Sequence, residues 1–251
     1  MPEEFSLGLT EVDVAVRRAG LPANWHPFEI RSAGATLEEH ERLSAAAWES
    51  MRSRRLAGPD KLDIDVEHTL RAWTQPEILI IVRAAEIADG RRVFYRATVA
   101  NGLGVFSELA GEEILFARTR PERLVDMVVG MLPDYGPVPL RELAITQEAQ
   151  HHKKDDEFTE SALSDKQLLA REMGPLSSWP LHRCGTVELS ARRRHGDLHS
   201  LGTVSFWDTE GGRLLVFIEH HADGGSRTRF VPSDGSHLRR WLHETASEGR
   251  R

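Results

Sequence analysis

A chain of 251 residues is long enough for one large domain or two small ones sharing a core. Its 39 acidic against 32 basic side chains give a formal net charge of -7, which argues against a general nucleic-acid binder. No apolar run exceeds about five residues, far below the roughly 20 that a membrane-spanning helix needs. The start, Met-Pro-Glu-Glu-Phe, has neither the basic region nor the apolar stretch of a secretory signal. The lone cysteine, Cys184, has no partner for an internal disulfide, so a reducing compartment is expected.

In chain order, Phe5–Thr10 alternates like a strand and runs into a helix over Glu11–Ala19. Gly20, Pro22 and Pro27 then break the chain. Thr36 with Glu39 forms a capping-box pattern that opens a helix to about Arg54. Asp63 caps a further helix, whose Val66, Leu70 and Trp73 share one face and which Pro76 ends.

A sheet follows, with strands Ile78–Ala85, Arg92–Ala100, Leu103–Leu109 and Glu112–Arg118. Val93, Tyr95, Ala97 and Val99 alternate with Arg92, Arg96 and Thr98, the signature of a half-buried strand. Asp89-Gly90 fits a tight two-residue hairpin. Thr119 and Glu122 give a second capping box, for a helix over Arg120–Met131.

The stretch about 134–161 is rich in proline at its start and almost wholly polar at His151–Glu157. It reads as a short helix near Leu140–Gln150 and then a linker. Ser164 with Gln167 caps a helix ending near Gly174-Pro175. Strands are then predicted over Gly185–Arg192, Leu201–Trp207, Arg213–His220 and Arg227–Val231, followed by a helix over Asp234–Thr245. Asp208–Gly212 is a strong hairpin signal. Four strands and a helix therefore occur twice. The expectation is a single α+β domain over 1–251, built of two antiparallel sheet-plus-helix halves, about 1–133 and 162–246, related by a quasi-two-fold axis.

Chemistry-bearing residues are sparse. His182, Cys184, His195 and His199 are the set from which a metal-dependent hydrolase would have to be built. A zinc site needs three or four such ligands to converge, and the His195–His199 spacing falls at a hairpin tip. There is no Gly-x-Ser-x-Gly elbow. Asn101-Gly102-Leu103-Gly104 leads into a strand, so it reads as a turn and not a phosphate cradle. No cofactor site is expected. Besides a hydrolase, the residues leave open a dimerising scaffold that uses an exposed sheet edge.

Phe5-Ser-Leu-Gly-Leu-Thr-Glu-Val-Asp-Val and Gly34–Leu43 resemble the EspG family, proteins associated with ESX (type VII) secretion in actinobacteria. The likeness continues through Leu62–Pro76, Trp207-Asp-Thr-Glu-Gly-Gly-Arg-Leu214 and the closing helix after Pro232-Ser233. The resemblance implies a cytosolic, non-enzymatic chaperone with a quasi-two-fold α+β fold, a central antiparallel sheet and helical bundles. It implies binding to the apolar tip of a helical PE–PPE-type secretion substrate. The contact regions it implies map to Ala88, Asp89, Gly90, Arg91 and Arg92, a loop shorter than in the family's best-known members, and to Leu168, Leu169 and Met173.

Overall fold

The computed structural model describes residues 3–32, 34–147, 173–193, 196–220 and 225–249. They form β1 (Glu4–Gly8), α1 (Leu9–Arg18), α2 (Leu37–Ser53), α3 (Ile64–Thr74), β2 (Ile78–Glu86), β3 (Arg92–Ala100), β4 (Leu103–Ala110), β5 (Glu113–Thr119) and α4 (Pro121–Gly130). After these come β6 (Leu143–Gln147), a 3-10 turn (Gly174–Ser178), β7 (Leu181–Arg192), β8 (Leu198–Thr209), β9 (Gly212–His220), β10 (Ser226–Pro232) and α5 (Ser236–Glu248).

All ten strands join one sheet in the order β1-β5-β4-β3-β2-β7-β8-β9-β10-β6, and every pairing is antiparallel. Read outward from the β2–β7 junction, the two directions have the same logic. Each half lays down a meander of four strands, and each is closed at its outer edge by the strand that precedes the meander in sequence, β1 or β6. Each meander is followed by a helix, α4 or α5.

The two sheet faces are covered differently. Ile80, Val82, Val93, Tyr95, Ala97, Val187, Leu189, Val204 and Phe206 lie under α4 and α5, in one core with Leu124, Val128, Leu238 and Leu242. On the opposite face, α1–α3 cover the first half, in a core that includes Leu7, Val12, Met51, Leu70, Trp73, Val105 and Phe116. This second layer makes β3 buried on both faces, where alternation predicts a half-buried strand. Arg96 and Thr98 are fully buried beneath α3, against Trp73.

Among the described residues Arg96 has no carboxylate partner. Its guanidinium donates to the backbone carbonyls of His26 and, at 2.7 Å, of Trp73. Trp73 Nε1 donates to Ser107 Oγ at 2.9 Å, and Ser107 Oγ donates to the Arg96 carbonyl at 2.9 Å. Burial draws the Arg96 pKa down to about 9, so the side chain is still a cation at neutral pH. One charged side chain thus ties the segment before α2 and the end of α3 onto the sheet.

The capping residues behave largely as their spacing predicts. Thr36 Oγ1 accepts from the Glu39 amide, and Asp63 Oδ1 accepts from the Asp65 amide. Three local expectations are corrected. The helix α4 has Arg120 at its N-cap with no side-chain hydrogen bond. Pro121 opens the helix there, where a missing N–H costs nothing, so the Thr119/Glu122 box is not used. The segment read as a short helix near Leu140–Gln150 contains β6 instead. Its Leu143 and Ile145 find a pairing partner in β10, and that tertiary pairing overrides local propensity. The β2–β3 turn is longer than two residues, because Glu86 N–H donates to the Arg91 carbonyl and leaves Ile87–Gly90 between them. The remainder of the polar stretch, and the Ser164/Gln167 cap, lie outside the described residues.

Replacing Arg96 with leucine would remove the donor to both carbonyls and leave the buried one, on Trp73, without a partner. We expect a loss of about 2–4 kcal/mol in urea unfolding. A variant as stable as the parent would show that the guanidinium does not tie these segments together.

Candidate partner-binding site

The residues expected to meet a partner begin at the turn between β2 and β3. There Asp89 Oδ1 accepts from the Arg91 amide at 2.9 Å, and Ala88, Asp89, Gly90, Arg91 and Arg92 are all exposed. The turn is bound laterally to the start of β7, because Ile87 N–H donates to the His182 carbonyl at 2.8 Å. Two apolar side chains remain in solvent at this corner, Ile87 at 48% and Leu181 at 38% exposure.

A rigid base lies beneath them. Arg183, nearly buried, binds Glu86 through Nε at 2.7 Å and again through Nη2. Arg91 approaches the same carboxylate at 3.7 Å. Tyr95 sits nearby with its hydroxyl pKa raised, first by burial and then by Glu108. Tyr135 Oη and His182 Nδ1 are 3.2 Å apart on the flank.

The second expected contact region is described in part. Met173, half-buried, caps the 3-10 turn that leads through Trp179 to Leu181, so the chain from Met173 runs directly into the corner occupied by Ile87. Leu168 and Leu169 lie outside the described residues.

Sequence reading missed Ile87 and Leu181. No sequence signal marks them: Ile87 follows β2 and Leu181 opens β7, and only the pairing of these strands brings the two to one corner.

The alternative chemistry is not assembled among the described residues. Cys184 and His199 sit on neighbouring strands, but His199 faces Ala191, seven residues along β7 from Cys184. At about 3.3 Å per residue this separates them by about 23 Å. His195 lies outside the described residues. His182 faces Tyr135, and no group of three or more metal-ligating side chains occurs among the described residues.

The Trp207–Leu214 stretch is a structural clamp. Thr209 pairs with Gly212 across a two-residue turn, as its sequence predicts. Asp208 holds the fully buried Arg213 through both carboxylate oxygens, at 2.6 and 2.9 Å. Arg213 also donates to the Pro133 carbonyl at 2.7 Å and lies over the rings of Tyr135 and Phe206. Gly211 lies under the Trp179 indole, where an added Cβ would come within 2.5 Å. Gly212 has φ +125°, and a Cβ there would meet the Gly136 carbonyl at 2.5 Å. The clamp therefore fastens the chain after α4 and the chain before β7 to a single hairpin.

The fold so built is an α+β body with one antiparallel sheet and pseudo-symmetric halves. The EspG family profile matches residues 9–244, and the chain belongs to the EspG family. Among solved structures it is similar to the Mycobacterium tuberculosis type VII secretion system chaperone EspG5, determined in complex with the PE25–PPE41 dimer. The TM-score is 0.62, with 9% sequence identity, over 97% of this chain and 95% of that one. No curated protein sequence matches. Among the described residues, no helix is long and apolar enough to cross a membrane.

Two substitutions test the clamp. Asp208→Ala leaves a buried arginine without its anion and is expected to cost about 3–5 kcal/mol. Gly212→Ala combines backbone strain with a clash and is expected to cost roughly 2 kcal/mol or more. Thermal unfolding measures both, and midpoints unchanged from the parent would show that the hairpin does not carry this load.

Proposed function

We propose that this chain is a cytosolic, non-enzymatic chaperone for a helical substrate of a type VII (ESX) secretion system. It covers the apolar tip of a PE–PPE-type protein and keeps it soluble until export. The observation that carries this reading is the exposed apolar corner of Ile87 and Leu181, held by the Ile87–His182 hydrogen bond and edged by Arg91 and Arg92, in a chain of the EspG family. The fold-mate EspG5 was solved with a PE25–PPE41 dimer, which supports a partner of that class.

The physical logic is mass action. A helical hairpin with an uncovered apolar end aggregates, and a soluble partner that occupies that end lowers the free aggregating population. The turn Ala88–Arg92 presents little surface of its own. We infer that it positions its arginines at the rim, while Ile87, Leu181 and the run from Met173 supply the apolar contact, with Leu168 and Leu169 upstream of that run. The matching order of the halves supports a duplicated unit within a single domain. On this reading β6 belongs to the second half, whose start then falls before residue 143.

Co-expression with PE–PPE pairs from the same genome, followed by size-exclusion chromatography, tests the function. At least one pair is expected to co-elute and to gain solubility. If none does, the chaperone reading fails. The double substitution Ile87→Asp and Leu181→Asp is expected to weaken that complex at least about tenfold, the effect of losing two buried apolar anchors, while leaving the fold intact. An unweakened complex would move the site elsewhere on the surface.

A further inference from the structure

The two outer edges of the sheet are treated differently. On β1, Arg118 N–H donates to the Glu3 carbonyl and Leu9 N–H to the Glu112 carbonyl, so the odd-numbered residues bond to β5 and the even-numbered ones face outward. Two groups of that outward row are occupied, both in its C-terminal part. The Ser6 carbonyl accepts from Arg54 Nη1 at 2.9 Å, and Gly8 N–H donates to Glu11 Oε2 at 2.9 Å. Arg54 and Glu11 also pair with each other. One ion pair thus covers the C-terminal part of this edge.

The β6 edge has no such cover. The Ser233 N–H to Arg213 carbonyl bond sets the alternation in β10, so that odd residues face β9 while Ser226, Thr228 and Phe230 face β6. Their partners Gln147, Ile145 and Leu143 therefore bond inward. Ala144 and Thr146 direct their N–H and carbonyl groups outward, and among the described residues nothing accepts or donates to them.

We propose that β6 pairs with β6 of a second copy of this chain, antiparallel about a two-fold axis at Ala144, so that two ten-stranded sheets join edge to edge. The strand Leu-Ala-Ile-Thr-Gln is uncharged, and uncharged edges are the ones that pair. In this register Ala144 meets itself. Leu143 meets Ile145 twice on one sheet face, Glu142 meets Thr146, and Arg141 meets Gln147. No like charges are opposed. A closed, isologous contact of this kind stops at the dimer, because it uses the β6 edge of both copies, and β1, the other outer strand among the described residues, is partly covered. The paired segment is five residues long, so the dimer is concentration-dependent. Three strands separate β6 from β7, which leaves the corner of Ile87 and Leu181 free in the dimer.

Sedimentation velocity on the full chain, over about a hundredfold concentration range, reads this association directly. The mass is expected to rise from 28.2 kDa toward twice that value. Ala144→Lys and Ala144→Glu are each expected to stay monomeric, since like charges then meet on the axis. An equimolar mixture of the two is expected to dimerise again. Ser6→Lys, on the partly covered β1 edge, is expected to leave self-association unchanged, and circular dichroism confirms that each variant is folded. A wild-type chain that is monomeric at every concentration overturns the proposal. So do Ala144 variants that associate as the parent does, or a mixture that does not re-associate. None of these outcomes depends on substrate binding.

Discussion

The junction of β2 with β7 is the contact on which the architecture rests. Nine consecutive residue pairs, from Ile78 opposite Ala191 to Glu86 opposite Arg183, make one sheet out of two meanders. Remove it and each half becomes a five-stranded sheet with an open, apolar edge, because Ile78–Val82 is almost entirely buried. The junction also aligns the helices: α4 comes from the first half and α5 from the second, yet they pack on one continuous core that spans the seam. The corner proposed for partner binding belongs to both halves as well, since Ile87 directly follows one strand of the junction and Leu181 begins the other.

Around this seam the chain spends charge where apolar packing alone would leave geometry loose. Arg96 and Arg213 are both fully buried, but they are solved differently. Arg213 has a bidentate carboxylate, which offsets much of its desolvation. Arg96 has only carbonyl dipoles and the Trp73 ring, and its lowered pKa records the remaining cost. Each cation gathers segments that no regular element would otherwise hold: the stretch before α2 in one case, the chain after α4 in the other. For Arg213 the value is in orientation, because a buried ion pair contributes little net stability against an apolar pair of the same volume.

The regular elements were legible because periodicity and turn residues agree with the tertiary fold. The strands of both meanders, the Thr36 and Asp63 caps, and the turns at Asn101-Gly102 and Glu210-Gly211 all follow from local sequence. What sequence could not carry was context. Arg96 reads as solvent-facing until α3 is laid over it. β6 reads as helix until β10 supplies a ladder. The apolar corner was invisible for a related reason: Ile87 and Leu181 are far apart in the chain and acquire meaning only when the junction brings them together. The Asp208–Gly212 stretch was legible as a hairpin, but its charge pair and its close backbone approach, which belong to stability, emerge only in the fold.

At the middle of the seam Val82 stands opposite Val187, and one residue further along the two strands are Arg83 and Glu188, which form an ion pair across it. If either strand met its own twin in the same register, that position would oppose arginine to arginine or glutamate to glutamate. Opposite signs at matching positions therefore favour the pairing of β2 with β7 over the pairing of either strand with its own copy, by about 0.2–1 kcal/mol.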